Sequence, residues 1–304
     1  MELRHLRYFI AVAEEGHITR AAERLGMQQP PLSQQIKAME RELDVQLFRR
    51  KARGIELTDA GRALLDDARA ILARVDHAFE TTRRTARGEQ GRICVGITPT
   101  STYHPFVPRV IRAFREAFPA VVLTLGESRS NELFEHLRNE QTDAAFVRMP
   151  PVDPEGLVVN SLLDEPLVVA LPSGHVLAQD DRDVPISLKD LANETFITYR
   201  REEGFGLHAT AFAACHAAGF NPRIGQQAPR LTSMPNLVAV GLGICFVPAS
   251  LQRVHLDGVE YRRIKDPAQL TAPLGIASRR GDPSAVVRHF LDLVRRTAKD
   301  FSED

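Results

Sequence analysis

The chain has 304 residues, 43% of them hydrophobic and 26% charged, with 39 basic and 39 acidic side chains. That length predicts two or more domains, and a formal net charge of zero excludes nucleic-acid binding by the bulk charge of the whole chain. The three cysteines (Cys94, Cys215 and Cys245) lie far apart and fit reduced thiols in a cytoplasm. No basic start leads into an apolar run and no apolar stretch could cross a bilayer, so neither secretion nor membrane spanning is expected.

In chain order, Met1–Glu15 places Leu3, Leu6, Phe9, Ile10 and Ala13 on one helical face. Residues 17–43 predict two short helices joined by a turn at Gly26. Ala21, Ala22 and Leu25 form an apolar patch on the first, and Leu32, Ile36, Met39 and Leu43 form one stripe on the second. Gln29, Ser33, Gln34 and Lys37 fall off that stripe, at the start of an exposed helix that suits a major groove. The local pattern is that of a helix-turn-helix DNA reader.

Val45 and Leu47, then Ile55 and Leu57, alternate around a basic loop that holds Arg49, Arg50, Lys51 and Arg53 and ends at Gly54. This predicts a hairpin wing with a positive tip, able to reach a minor groove; by itself such a loop is as well a solvated charged turn. From Thr58 to Gly88 runs a long helix whose stripe (Leu64, Ala68, Ile71, Val75, Phe79) is too long for so small a domain to cover. A partner helix from a second subunit is the expected cover. A dimer would place two reading helices roughly 34 Å apart on a partly palindromic site.

Residues 1–90 resemble the N-terminal half of a LysR-type transcriptional regulator. The likeness rests on Leu3, Phe9, Ala21-Ala22, Leu25, Gln29-Pro30-Pro31-Leu32-Ser33, Ile36, Glu40, Leu43, Leu47-Phe48-Arg49-Arg50, Leu57-Thr58 and Gly61 in fixed register. Two positions depart from it: Asp44 stands where glycine is usual and Met39 where leucine is usual. The resemblance implies that Gln29, Pro30, Ser33 and Gln34 meet base edges or a thymine methyl. It implies that Thr19 and Lys37 meet phosphates and that Arg53 reaches from the wing. For each, the plain alternative is an exposed helix residue with no partner.

From Arg92 onward, strand and helix signals alternate: Ile93–Ile97, a helix from about 105 to 117, Val121–Leu125, a helix from about 131 to 139, then Ala144–Val147. That order predicts a parallel sheet with helices on its faces. A second set begins near Pro166: Leu167–Leu171, Thr195–Tyr199, a helix over 207–218, Ile224–Gln227, a helix over 231–240 and Ile244–Val247. Val259–Ile264, a turn at Asp266-Pro267, Leu274–Ala277 and a helix over 284–299 complete the chain.

The expected fold is an N-terminal all-α winged helix-turn-helix with a long linker helix, then a C-terminal α/β effector domain. The latter consists of two Rossmann-like subdomains enclosing a hinged cleft, as in periplasmic binding proteins. The DNA-binding domain takes 1–58 and the linker 59–88. The resemblance assigns 92–161 plus 267–304 to one subdomain and 162–266 to the other.

In open parallel sheets, ligands bind beyond the strand C-termini, where helix N-termini present free N–H groups. Thr98-Pro-Thr-Ser-Thr102 puts four hydroxyls before one helix, and Ser128-Arg-Ser130 enters the next. Any one of these is equally an ordinary helix cap. Together with Arg148, after Val147, they predict a donor pocket fit for a carboxylate, although Arg148 alone also reads as a surface ion-pair partner. Within the family, the chain is most like regulators of acetoin metabolism and of aromatic-compound degradation, including muconate-responsive ones. That likeness rests on 84–91, Tyr103 and Leu242–Pro248. It puts Thr100, Ser130, Arg148 and Phe205 at the effector, and the hydroxyl-rich loop adds Ser101 and Thr102 to these candidates. It departs at an apparent extra residue around His104-Pro105 and at threonine in place of serine at 100.

The partners so implied are double-stranded DNA, a small carboxylate effector, RNA polymerase and further copies of the chain as homodimer or homotetramer; no cofactor, metal or membrane partner is expected. Two rival classes remain. An enzyme with a DNA-binding head, like the biotin ligase-type repressors, lacks a Gly-x-Ser-x-Gly motif, a phosphate loop and paired metal-ligand spacing here. Gly241-Leu-Gly243 follows a helix and precedes a strand, the wrong order for a dinucleotide fingerprint, and reads as a helix cap. A secreted solute-binding protein leaves residues 1–90 unexplained.

Overall fold

The computed structural model describes residues 1–51, 54–148, 155–179, 184–199, 207–265, 270–282 and 284–303. It divides into two compact units, Met1–Thr85 and Ala86–Asp304. The expected turn at Asp266-Pro267 lies outside the described residues.

The first unit begins with α1 (Leu3–Glu15), α2 (Ile18–Arg24) and α3 (Gln29–Leu43). A hairpin of β1 (Phe48–Lys51) and β2 (Gly54–Leu57) follows, then α4 (Asp59–Ala86). Leu6, Phe9 and Val12 close over Ala21 and Ala22 of α2 and over Leu32, Ile36 and Met39 of α3. Each fully buried large side chain in such a core contributes about 1.5–3 kcal/mol. α2 stops where Gly26 turns left-handed at φ 66°, with the Met27 N–H donating to the Ala22 carbonyl at 3.0 Å. α3 stops at Asp44, left-handed at φ 53°, so aspartate here adopts the geometry that the usual glycine would supply.

The hairpin starts at Phe48, later than the alternation from Val45 suggested, because Val45 is exposed whereas Leu47 is buried. Gly61 explains itself: a Cβ there would stand 2.2 Å from the Leu47 carbonyl oxygen, so only glycine lets α4 seat against the start of the wing. Along α4, Ala68 is buried and Leu64, Leu65 and Leu72 pack partly into the core. Further along the stripe, Ile71 and Phe79 remain 42% and 58% exposed.

In the second unit β3 (Gly91–Ile97) lies between β4 (Val121–Glu127) and β5 (Ala144–Val147), parallel to both. α5 (Phe106–Ala117) and α6 (Ser130–Arg138) make the crossovers. Ile93, Val95 and Ile97 face one way, onto α5 and onto the last helix, α10 (Ala285–Glu303). On the opposite face, Ala145 and Val147 meet Leu133, Phe134 and Leu137 of α6.

β6 (Leu157–Pro172) is a 16-residue strand where the sequence suggested only Leu167–Leu171. Its first part pairs antiparallel with β11 (Thr271–Arg279), which also pairs antiparallel with β5. Its second part pairs antiparallel with β9 (Cys245–Pro248) and β10 (Val259–Arg263). The sheet is therefore mixed rather than parallel throughout.

Between these lie a short helix, α7 (Val176–Gln179), and the parallel pair β7 (Thr195–Tyr199) and β8 (Arg223–Ala228). α8 (Leu207–Ala217) also belongs here, and the helix expected over 231–240 resolves into a 3-10 turn, Leu231–Ser233, and α9 (Met234–Ala239). Gly241 caps α9 at φ 79°, its N–H donating to the Val238 carbonyl.

Two sets of cores result. Leu274 and Ile276 belong with β3 and α10, whereas Leu167, Leu270 and Ala272 belong with β7, α8 and β9. The chain passes between them twice, on β6 and on β11, and the two passages are paired where they cross: Pro166 stands opposite Thr271, and the Leu167 N–H donates to the Leu270 carbonyl at 2.8 Å. All three cysteines are free, and burial pushes the Cys215 thiol up to about 11, which keeps it protonated.

Candidate functional site

On the first unit, α3 buries Leu32, Ile36 and Met39 and leaves Gln29, Pro30, Gln34 and Lys37 exposed on its other side, with Ser33 half-buried among them. Pro30 and Pro31 occupy the first turn, where a missing N–H costs nothing because no partner is available there. Thr19, also exposed, is the second residue of α2, and its N–H donates to Nδ1 of the capping residue His17 at 3.3 Å. These residues form a polar row beside a helix N-terminus, suited to base edges and phosphates.

The wing is less positive than its sequence suggested. Arg49 and Lys51 both ion-pair with Glu56 on the facing strand, which holds the Glu56 carboxyl below the ordinary carboxylate value. Arg50, paired in register with Ile55, is exposed. Arg53 lies outside the described residues. Sequence reading assigned no role to Glu40, whose carboxylate accepts the N–H groups of Leu47 and Phe48 and so ties the wing to the reading helix.

On the second unit, β3, β4 and β5 end side by side. Ile97 stands opposite Glu127 on one side and Phe146 on the other, so the segments 98–104, 128–130 and 148 leave one edge of the sheet together. The structure thus brings Thr100, Ser101, Thr102, Ser130 and Arg148 to a common edge. Phe205 lies outside the described residues.

The side chains at that edge are in different states. Ser101 is fully buried, and its hydroxyl is engaged with the hydroxyl and carbonyl of Thr98 at 2.9 Å each. It shapes the 3-10 turn Ser101–Tyr103 and is spent as a donor. Thr102 Oγ1 reaches the Thr98 carbonyl at 3.4 Å. Nor is the start of α5 open to a ligand: the Phe106 N–H donates to His104 Nδ1 and the Val107 N–H to the His104 carbonyl. By contrast, no hydrogen bond among the described residues engages the hydroxyls of Thr100 or Ser130. Ser130 is the first residue of α6, preceded by Arg129 without a side-chain cap, and it carries one of the N–H groups that a helix start leaves unpaired. Glu132 already takes the Arg129 N–H at 3.1 Å.

Arg148 does not stand open to the cleft as the expected cation. It is 4% exposed, and its Nη2 ion-pairs with Glu165 Oε2 at 2.5 Å. It also donates to the carbonyls of Ala272 at 3.0 Å and Thr100 at 3.2 Å. Burial pulls its pKa below the ordinary arginine value, and the Glu165 carboxylate opposes that pull. Its charge is therefore compensated internally, and its position is that of a strut behind Thr100.

His104 is buried as well. Burial lowers its pKa, with Arg148 and Arg253 acting in the same direction and Glu165 against them. Sequence reading noticed His104 only as an irregularity of length. It missed Glu165 and Ser250, and the one available signal was a carboxylate, beside Pro166, opening an apolar strand.

The comparisons with known proteins agree with both units. Residues 3–62 match the bacterial regulatory helix-turn-helix protein family, lysR type, and residues 86–299 match the LysR substrate binding domain. The chain is 39% identical to the HTH-type transcriptional regulator AlsR of Bacillus subtilis (strain 168) over 293 residues, covering 96% of this chain and 95% of that one. It is similar to CbnR in a crystal structure with its target DNA, with a TM-score of 0.84 and 30% identity over 98% of this chain and 100% of that one. The effector binding domain of BenM, solved with its effector benzoate, matches at a TM-score of 0.62 and 27% identity, over 70% of this chain and 94% of that domain. Helix-turn-helix head and two-part C-terminal domain together make this chain a member of the LysR family of transcriptional regulators.

Proposed function

We propose that this regulator binds a partly palindromic operator through Gln29, Pro30, Ser33 and Gln34, with Thr19, Lys37 and Arg53 on the phosphates and in the minor groove. In this reading its C-terminal domain responds to a small carboxylate. The observation that carries the effector reading is the common edge of β3, β4 and β5, from which the segments bearing the Thr100 and Ser130 hydroxyls and the first N–H of α6 leave together. Benzoate, the effector of the similar BenM domain, is itself a carboxylate. Thr100, Thr102, Ser130 and Phe205 line the seat, while Ser101 and Arg148 hold the loop that forms it. The domains follow the division at 58, 88, 161 and 266, two stretches of the C-terminal part forming the first subdomain.

A second copy covers the α4 stripe, and pairs of dimers form a cytoplasmic homotetramer that engages RNA polymerase. Effector binding changes the closure of the cleft and so the spacing of the heads; it can do so only as far as it binds one arrangement better than the other, typically by about 1–3 kcal/mol. The alternative of an enzyme with a DNA-binding head is not favoured, since both matched families are parts of regulators.

A thermal-shift screen of benzoate, muconate and acetate tests the effector reading. A ligand at a hundred times its Kd stabilises the domain by about 2.7 kcal/mol. The expected result is a raised melting temperature with at least one of these acids. No shift with any carboxylate, set against a shift with a neutral or cationic small molecule, would reject the carboxylate class.

A further inference from the structure

Glu165 sits on β6 at the passage between the two sets of cores, with 4% of its surface exposed. Its Oε2 pairs with Arg148, and its Oε1 accepts the N–H of Ser250 in the 3-10 turn Ala249–Arg253, which follows β9. Arg148 in turn holds the carbonyl of Thr100 and, across the sheet, that of Ala272 on β11. One buried ion pair thereby touches the end of β5, the 98–104 loop, both strands of the crossing and a turn of the other half. A buried pair of charges is costly to desolvate, and apolar side chains of like volume in its place are often equally stable or more so. Its value here lies in what it connects.

We infer that Glu165 is a positioning residue of the effector site, transmitting displacement of the Thr100 loop through Arg148 to both crossing strands and through Ser250 to the second subdomain. The inference deepens the proposed function and rests on the reading of the 98–104 loop as part of the effector seat. A ligand that draws the Thr100 backbone by a fraction of an ångström must carry the guanidinium with it or break its bond to the carbonyl. Either event changes the pull on Ala272 and Glu165, which lie where the two subdomains join. Closely packed interiors respond to such shifts by switching between arrangements rather than by yielding gradually.

Hydrogen–deuterium exchange of the full-length, ligand-free protein tests the link. Glu165→Gln removes the charge that holds Arg148 while keeping the size of the side chain. Arg148→Lys keeps the charge but cannot bond two separate carbonyls in the planar fork of arginine. In both variants the amides of Thr98–His104 and of Ala249–Arg253 should exchange faster together, by about tenfold, while Ile93–Ile97 and Phe290–Ala298 keep wild-type rates. A rise confined to one of the two segments overturns the inference, and so does no rise in either. A uniform rise through the core means a merely structural role and overturns it too.

With benzoate as probe, the wild type should gain protection in both segments and Glu165→Gln in the 98–104 loop alone. Protection of both segments in the variant rejects the link. If benzoate, muconate and acetate all leave the wild type unchanged, the effector reading fails, while the ligand-free comparison still decides whether Glu165 joins the two segments.

Discussion

The carboxylate of Glu40 accepts the backbone N–H of Leu47 at 2.9 Å, so the reading helix itself holds the first strand of the wing. The same oxygen takes the Phe48 N–H at 3.2 Å, and among the described residues β1 pairs with no strand but β2. Glu40→Ala should lower stability by about 1–3 kcal/mol, because two donors lose a charged acceptor in a partly buried place. Operator affinity should fall further than stability alone explains, since the wing loses its register with α3. Urea unfolding and gel-shift titrations of the same preparations check both effects. Unchanged operator affinity in the folded variant would show that the wing needs no such anchor.

Gln34 and Lys37 should differ in the kind of loss they cause. Gln34→Ala should reduce discrimination between the operator and scrambled DNA by about 1–3 kcal/mol, as expected for a lost bidentate contact to an adenine. Lys37→Ala should weaken binding to both sequences alike and reduce the slope of log affinity against log salt by about one. Fluorescence anisotropy across a salt series measures both quantities.

Thr100→Val replaces a hydroxyl by a methyl group of nearly the same shape, 7% exposed, beside the end of β3. The effector response should disappear while operator binding stays at the wild-type level. Calorimetry with the carboxylate found by screening, alongside operator titrations, separates the two. An unchanged response would remove Thr100 from the effector seat, and loss of both activities would indicate misfolding.

His104 should make stability depend on pH. Burial is the main cause of its lowered pKa; Arg148 and Arg253 add to it and Glu165 opposes it. Phe106 and Phe301 pack against the ring, and Arg109 lies over Phe301. With the folded pKa below the ordinary 6.5, the unfolded chain binds the extra proton first as pH falls. This contribution is therefore fully present above pH 6.5 and is lost as pH falls toward the folded value. Unfolding free energies from pH 7.5 down to 5.5 should decline in the wild type and decline less in His104→Gln. Glu14, lowered chiefly by its bond to Arg69 and then by Arg24, acts in a separate window: its contribution is present above pH 4.5 and lost below it.

The exposed part of the α4 stripe predicts self-association. Phe79→Asp puts a charge where a second copy should pack. Two phenylalanines at about 1.5 kcal/mol each correspond to about a hundredfold weaker dimer. Sedimentation velocity over a concentration series measures this directly, and a dimer constant equal to that of the wild type would place the contact elsewhere.

The helix pair of the head was legible because its code is local. Leu32, Ile36 and Met39 repeat with the helical period, Gly26 marks the turn, and both signals lie within a single stretch of chain. The first half of β6 was not legible: Asn160, Ser161, Asp164, Glu165 and Pro166 give it neither an apolar run nor clean alternation. It is a strand because β11, more than a hundred residues away, pairs with it. The hydroxyl-rich loop after β3 was found by composition, yet composition could not show that Ser101 spends its hydroxyl on Thr98. Arg148 was placed at the correct edge, but its partner Glu165 is brought there by topology, on the strand that leaves the subdomain.

β6 gives the C-terminal domain a mechanical character of its own. At about 3.3 Å per residue its length is about 50 Å, and it is hydrogen-bonded to β11 as it passes from one half to the other. A paired ribbon resists stretching and shear far more than twist, because twist leaves its ladder of bonds intact. Of the displacements one half could make against the other, rotation about the ribbon is therefore the one that this ladder of bonds opposes least.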